Sequence, residues 1–95
     1  SDGTMQPFDR NKLLVGLMRA TSKREIDISQ LNALIDDIEL ELRGRTLTNV
    51  SSHEIGDMVL KRLEKIDKVA YIRFASVYRD FKDIEEFLEE LDKLR

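Results

Sequence analysis

Tyr71-Ile72-Arg73-Phe74-Ala75-Ser76-Val77-Tyr78-Arg79 is the stretch on which the reading of this chain turns. Two tyrosines and two arginines are woven through small and apolar residues, just ahead of an acidic tail. As a helix, the stretch would pack Val69, Ile72, Ala75 and Ser76 against a bundle. Tyr71, Arg73, Tyr78 and Arg79 would then flank that stripe, with apolar bodies covered and polar ends free. The same residues suit a surface that meets a flat, charged ligand or a partner subunit. From these residues alone, structural support and ligand or subunit contact both stay open.

The tail beyond this stretch carries the charge. Asp80, Asp83, Glu85, Glu86, Glu89, Glu90 and Asp92 face only Arg79, Lys82, Lys93 and Arg95, which accounts for the whole net charge of -3. Asp83 is placed to cap a last helix, with Ile84, Phe87, Leu88 and Leu91 on one face. A small bundle need not cover such a stripe, so residues 83–95 are expected to form an oligomerisation helix beside a main domain over residues 1–82. Elsewhere two groups of cations stand out, Arg10, Lys12, Arg19, Lys23 and Arg24, then Lys61, Arg62, Lys65, Lys68, Arg73 and Arg79. They either converge on one anion or form solvated helix faces.

Ninety-five residues suffice for one core but not for a buried catalytic cleft between two lobes. With no cysteine and one histidine, His53, thiolate zinc sites, disulfides and Ser-His-Asp chemistry have almost nothing to use. No apolar run approaches the roughly 20 residues that span a bilayer. No signal peptide is visible, so a soluble, cytoplasmic chain without membrane contact is expected.

Helical and strand signals alternate along the sequence. Asp2-Gly3 followed by Thr4-Met5-Gln6-Pro7-Phe8 suggests the turn and second strand of a hairpin, hence a chain that starts inside one and is a fragment. Asp9 should cap a first helix whose stripe is Leu13, Leu14, Leu17 and Met18, ending near Ala20-Thr21. Asp27 with Gln30 predicts a capping box, then a stripe of Ile28, Leu31, Leu34, Ile35, Ile38 and Leu42 stopped by Gly44. Asp36, Asp37, Glu39 and Glu41 on the other face are expected to be solvated. Thr46-Leu47-Thr48-Asn49-Val50 is a short strand candidate. Ser51 with Glu54 predicts a third helix through Ile55, Val59, Leu63 and Ile66, broken at Asp67 or Lys68 before a fourth over about 69–78. Gly56, in the first turn of that third helix, would let something approach the backbone closely. The fold class is mainly α with a small β-sheet.

Catalysis has little support. The four glycines are scattered, so no phosphate loop is present. Carboxylate pairs such as Asp36/Asp37 lack any burial that would tune them apart, and no catalytic or metal-ligating set is expected. Nucleotide binding fits better. A phosphate favours a helix start with free amides and a nearby lysine. Lys12 lies one turn into the first helix, Ser51, Ser52 and Gly56 open the third, and Phe8 offers an apolar surface that is either core or a base platform.

Ser1-Asp2-Gly3, Pro7-Phe8-Asp9-x-x-Lys12-Leu13, Ser52-x-x-Ile55-Gly56 and Ala70-Tyr71-x-Arg73-Phe74-Ala75-Ser76-Val77-Tyr78-Arg79 together resemble an ATP-cone domain. With Phe81-Lys82-Asp83-Ile84-Glu85-Glu86-Phe87 behind them, they are most similar to the cone of the NrdR family, repressors of ribonucleotide reductase genes. The likeness covers essentially the whole chain. It implies a helical bundle capped by a short mixed sheet or hairpin, holding ATP or dATP, with or without Mg2+. It also implies a homo-oligomer whose state follows the nucleotide. Carried over by position, Lys12 would meet phosphates, Gln6 and Phe8 the base or sugar, and Asp9, Ser52, Ile55 and Gly56 would complete the pocket. Tyr71, Arg73, Tyr78, Arg79, Phe87, Leu88 and Leu91 are the candidate subunit or switch contacts.

Gln6 stands where that family usually has glutamate. Its strand before the Asp-Gly turn, with a phosphate-binding lysine, is missing here. Family members read DNA through an N-terminal four-cysteine zinc ribbon, so DNA contact and zinc would belong to a domain outside this chain. Two other readings remain, the cone of a ribonucleotide reductase and a ligand-free helical interaction module. The charged last helix argues against the first, and co-purified nucleotide would exclude the second.

Overall fold

The computed structural model describes residues 5–44 and 49–78, together with Glu89 and Asp92. Strand β1 (Met5–Pro7) leads into helix α1 (Arg10–Ala20), then α2 (Ile28–Arg43), strand β2 (Asn49–Ser51), α3 (Ser52–Ile66) and α4 (Lys68–Tyr78). This is the mainly helical domain with a small sheet that the pattern predicts. Each helix packs on the next, and α4 closes back onto α1.

Helix starts follow the polar signals closely. The Asp9 carboxylate accepts from the Lys12 amide at 3.1 Å. At α2 the box closes both ways, with Gln30 N–H donating to Asp27 and Asp27 N–H donating to the Gln30 side chain. The Ser51 hydroxyl accepts from the Glu54 amide at 3.1 Å and starts α3. Asp67 is extended (φ -161, ψ 118), ends α3, and accepts from the Ala70 amide at 2.9 Å to start α4. One residue therefore breaks the chain after α3 and caps α4.

The core is aliphatic, built on Leu17, Ile35, Ile38, Val59 and Leu63, with Phe74 inserted from α4. Several expected core positions are not in it. Met18 is 49% exposed and Ile28 54%, and Ile66 also faces outward. In α1 the covered positions are Leu13, Leu17 and Ala20, one narrow stripe that leaves Met18 about 100° away from Leu17. On α4 the buried face is Ala70, Tyr71, Phe74 and Ala75, whereas Val69 and Ser76 are exposed and Ile72 only half-buried. The face is rotated because the two aromatic rings bring far more apolar area than the β-branched residues beside them.

The two strands pair antiparallel, Met5 with Ser51, Gln6 with Val50 and Pro7 with Asn49. The ladder thus sits slightly later than the 46–50 expectation, whose first part lies outside the described residues. So do the Asp2-Gly3 turn and nearly all of the 83–95 segment, of which Glu89 and Asp92 are helical and exposed. No helix among the described residues is long and apolar enough to cross a membrane.

Candidate functional site at the strand-fed helix starts

Pro7 and Asn49 face each other at one end of the ladder, Met5 and Ser51 at the other. Helix α1 begins just beyond the first pair and α3 just beyond the second. Two residues separate the ends of the ladder, about 7 Å along the strand direction. Gln6 lies between them, opposite Val50. Phe8 is half-buried against the core at the β1–α1 junction. Asp9 and Lys12 are exposed in the opening of α1. Ser52 is the first residue of α3, with Ile55 and Gly56 buried a turn later. The ladder joins β1, which leads into Phe8, Asp9 and Lys12, to β2, which leads into Ser52, Ile55 and Gly56.

The two helix starts are capped differently. Asp9 places a negative carboxylate on the first amides of α1. Ser51 caps α3 with a neutral hydroxyl that accepts from the Glu54 amide. The α3 cap is neutral but its first turn carries Glu54, whereas α1 has no acid in its first turn beyond the Asp9 cap, so each helix start holds one carboxylate. The Lys12 side chain makes no ion pair among the described residues, although it lies within one turn of Arg10, which makes two. His53, at the same α3 start, is exposed.

Four of the six described arginines, Arg10, Arg24, Arg62 and Arg73, are engaged within the domain. Arg10 pairs with Asp36 at 2.8 Å and with Glu39, and donates to the Asn32 side chain at 3.0 Å. Arg62 pairs with Asp37 at 2.8 Å and Glu41 at 2.9 Å, tying α3 to α2. Both guanidinium groups are held more firmly protonated than usual. For Arg10 the largest cause is its hydrogen bond with Asp36, and for Arg62 the bonds with Glu41 and Asp37 outweigh a burial cost. The acidic face of α2 is gripped from both sides, while Asp36, Asp37 and Glu41 stay exposed as a solvated face requires. Arg24 pairs with Asp67 at 2.9 Å. These three cations do not converge on one anion, while Arg19, Lys23, Lys61, Lys65 and Lys68 of the same two groups are exposed, as solvated helix faces would be.

The candidate contact residues divide. Tyr71 is buried, 3% exposed, with no face left for a partner. Arg73 donates to the carbonyls of Ala20 and Ser22, at the end of α1. Arg79, Phe87, Leu88 and Leu91 lie outside the described residues. Tyr78 does something that the sequence reading missed. Its ring stacks on Phe74, centroids 4.2 Å apart and planes at 11°, and it is the group that approaches Gly56. A Cβ on Gly56 would lie 3.2 Å from Tyr78 Cδ1, and one on Gly16 would lie 3.8 Å from the hydroxyl. Partial burial pushes that phenol above its ordinary pKa. The small residue in the first turn of a helix was the available signal, but it could not name the ring that fills the space.

Among the described residues no group of three His, Asp or Glu side chains could hold a metal ion. The ATP cone domain family matches residues 1–84. Similar curated proteins are named transcriptional repressor NrdR. That of Caldicellulosiruptor bescii is 50% identical over 98% of this chain and 61% of its own length. That of Carboxydothermus hydrogenoformans is 54% identical over 98% and 60%, and that of Acetivibrio thermocellus 52% over 98% and 62%. The chain spans about three fifths of the length of these relatives. From the family match over nearly all of the chain, the conclusion is that it belongs to the ATP-cone family.

Proposed function

We propose that this domain is the adenine-nucleotide sensor of an NrdR-like repressor, taking ATP or dATP, with or without Mg2+, at the strand-fed starts of α1 and α3. The observation that carries the reading is the ATP-cone match over residues 1–84. The chemistry of the site supports it. Lys12 has a free charge for phosphate, α3 starts from a neutral hydroxyl cap, and Phe8 is partly exposed at the β1–α1 junction. Gln6, on the strand between the two starts, can both donate and accept and is the proposed reader of the sugar 2′-hydroxyl. The role is regulatory rather than enzymatic, in keeping with the name that the relatives bear.

In this reading nucleotide type sets how copies of the chain assemble in the cytoplasm, with residues 83–95 as the assembly segment. Zinc and DNA contact belong to a segment outside these 95 residues, because the chain supplies no cysteine. Isothermal calorimetry with ATP, dATP and GTP, then sedimentation of each complex, tests the proposal. Binding of both adenine nucleotides, with different sedimentation for the two, is the expected result. No heat with either adenine nucleotide would overturn the reading.

A further inference from the structure

We infer that Tyr78 is a positioning residue that carries the state of the α3 start to the chain beyond α4. This rests on the nucleotide-sensing reading above and deepens it. Tyr78 is the last residue of α4 and sits in the seam between α1 and α3. One face of its ring is held by Phe74, itself almost wholly buried. Its edge rests on Gly56, where Cδ1, Cβ and Cγ would all come within 3.6 Å of an added Cβ. Its hydroxyl points toward Gly16 of α1.

Gly56 is the fifth residue of α3, one turn inside the neutral cap. Ligand bound to the amides of Ser52 and His53 pulls on that same turn. Because Gly56 has no side chain, nothing cushions the ring from a movement of the backbone. Close-packed contacts of this kind transmit small displacements rather than absorb them. The stack on Phe74 blocks retreat of the ring into the core, so a displacement of the Gly56 turn is passed along α4 toward Arg79. The acidic, apolar-striped segment assigned above to assembly begins there. The test uses a signal that packing alone does not move.

The chain provides one, since it has two tyrosines and no tryptophan. ATP is titrated into the full chain and into Tyr78→Phe, Tyr78→Leu and Gly16→Ala, with tyrosine emission, calorimetric affinity and sedimentation monitored in parallel. In the wild type, ATP changes the emission. In Tyr78→Phe that change disappears while the ring, the stack and binding remain. Tyr78→Leu binds ATP within about threefold of wild type, yet its sedimentation no longer distinguishes ATP from dATP. Gly16→Ala, whose Cβ meets the hydroxyl at an ordinary contact distance, behaves as wild type. Unchanged emission in wild type at calorimetrically proven saturation would overturn the inference and leave nucleotide sensing intact. So would Tyr78→Leu keeping distinct ATP and dATP species. If the wild type binds no adenine nucleotide at all, the functional reading fails and the coupling with it.

Discussion

Arg73 Nη1 donates to the carbonyl oxygen of Ser22 at 2.7 Å and reaches that of Ala20 at 3.3 Å. A cation from α4 thus serves the C-terminal end of α1, where carbonyls lack helical partners and the dipole is negative. Arg73→Ala should lower stability by about 1–2 kcal/mol, measured by urea unfolding. Arg73→Lys should recover less than half, because a point charge cannot serve two carbonyls as a planar fork does. An unchanged urea midpoint combined with altered assembly would return Arg73 to the subunit interface.

Gly16 and Gly56 face the same tyrosine, but alanine should act on them with opposite signs. Gly16 lies inside α1, where an added Cβ meets the Tyr78 hydroxyl at 3.8 Å, an ordinary contact. Gly16→Ala should therefore stabilise by about 0.5–1 kcal/mol through reduced backbone freedom in the unfolded chain. At Gly56 the 3.2 Å approach requires the ring to give way, and Phe74 stands behind it. Gly56→Ala should cost about 1 kcal/mol or more from overpacking. Equal melting shifts for the two variants would mean that the Tyr78 seat is soft.

How far the sequence was legible depends on the range of each interaction. Asp9, Asp27 with Gln30, and Ser51 act within three or four residues, and each helix start they predict is present. The grip of Arg10 and Arg62 on α2 joins residues more than 20 positions apart, so no local pattern announces it. The acidic stripe of α2 looks the same in sequence whether it meets water or arginine. On α4, periodicity found a helix but put its buried side one position off, because Tyr71 and Phe74 outweigh Val69 and Ile72. At the site, the residue types around Lys12 and Gly56 were readable. The ring that closes on Gly56 comes from 22 residues further along the chain and was not.

Asp67 should contribute to the acid limb of stability. Its carboxyl is held below the usual carboxylate range, first by the Ala70 amide and then by Arg24. A depressed folded value means that the stabilisation is complete above the unfolded pKa, near 3.9, and is lost as pH falls through the folded value. Asp67→Asn keeps a capping oxygen and removes this titration, so its stability should fall less steeply below about pH 4. Arg24→Ala should flatten the limb less, since the bond from the Ala70 amide remains. Some acid sensitivity will remain in both, because Asp27 is depressed in the same direction by Ser29 and Gln30. Denaturation midpoints between neutral and acidic pH measure the difference. Steeper loss in Asp67→Asn than in wild type would refute the assignment.

Lys12 and Arg10 lie in the same first turn of α1 yet should report on different things. Arg10 is engaged by Asp36, Glu39 and Asn32, so Arg10→Ala should lower the melting temperature and disturb nucleotide binding only through the fold. Lys12 is exposed, without an ion pair among the described residues, so Lys12→Ala should melt as wild type does. If its ammonium meets phosphate, its removal forfeits a charged hydrogen bond of roughly 1.5–3 kcal/mol. ATP and dATP affinity should then fall together by about ten- to a hundredfold. Lys12→Glu should weaken both further, by adding a negative charge beside Asp9. The pair of variants separates fold from site, because only one should move the melting curve and only the other should act on binding directly. Calorimetry that finds unchanged affinity in Lys12→Ala would remove the phosphates from α1 and leave α3 as their sole anchor.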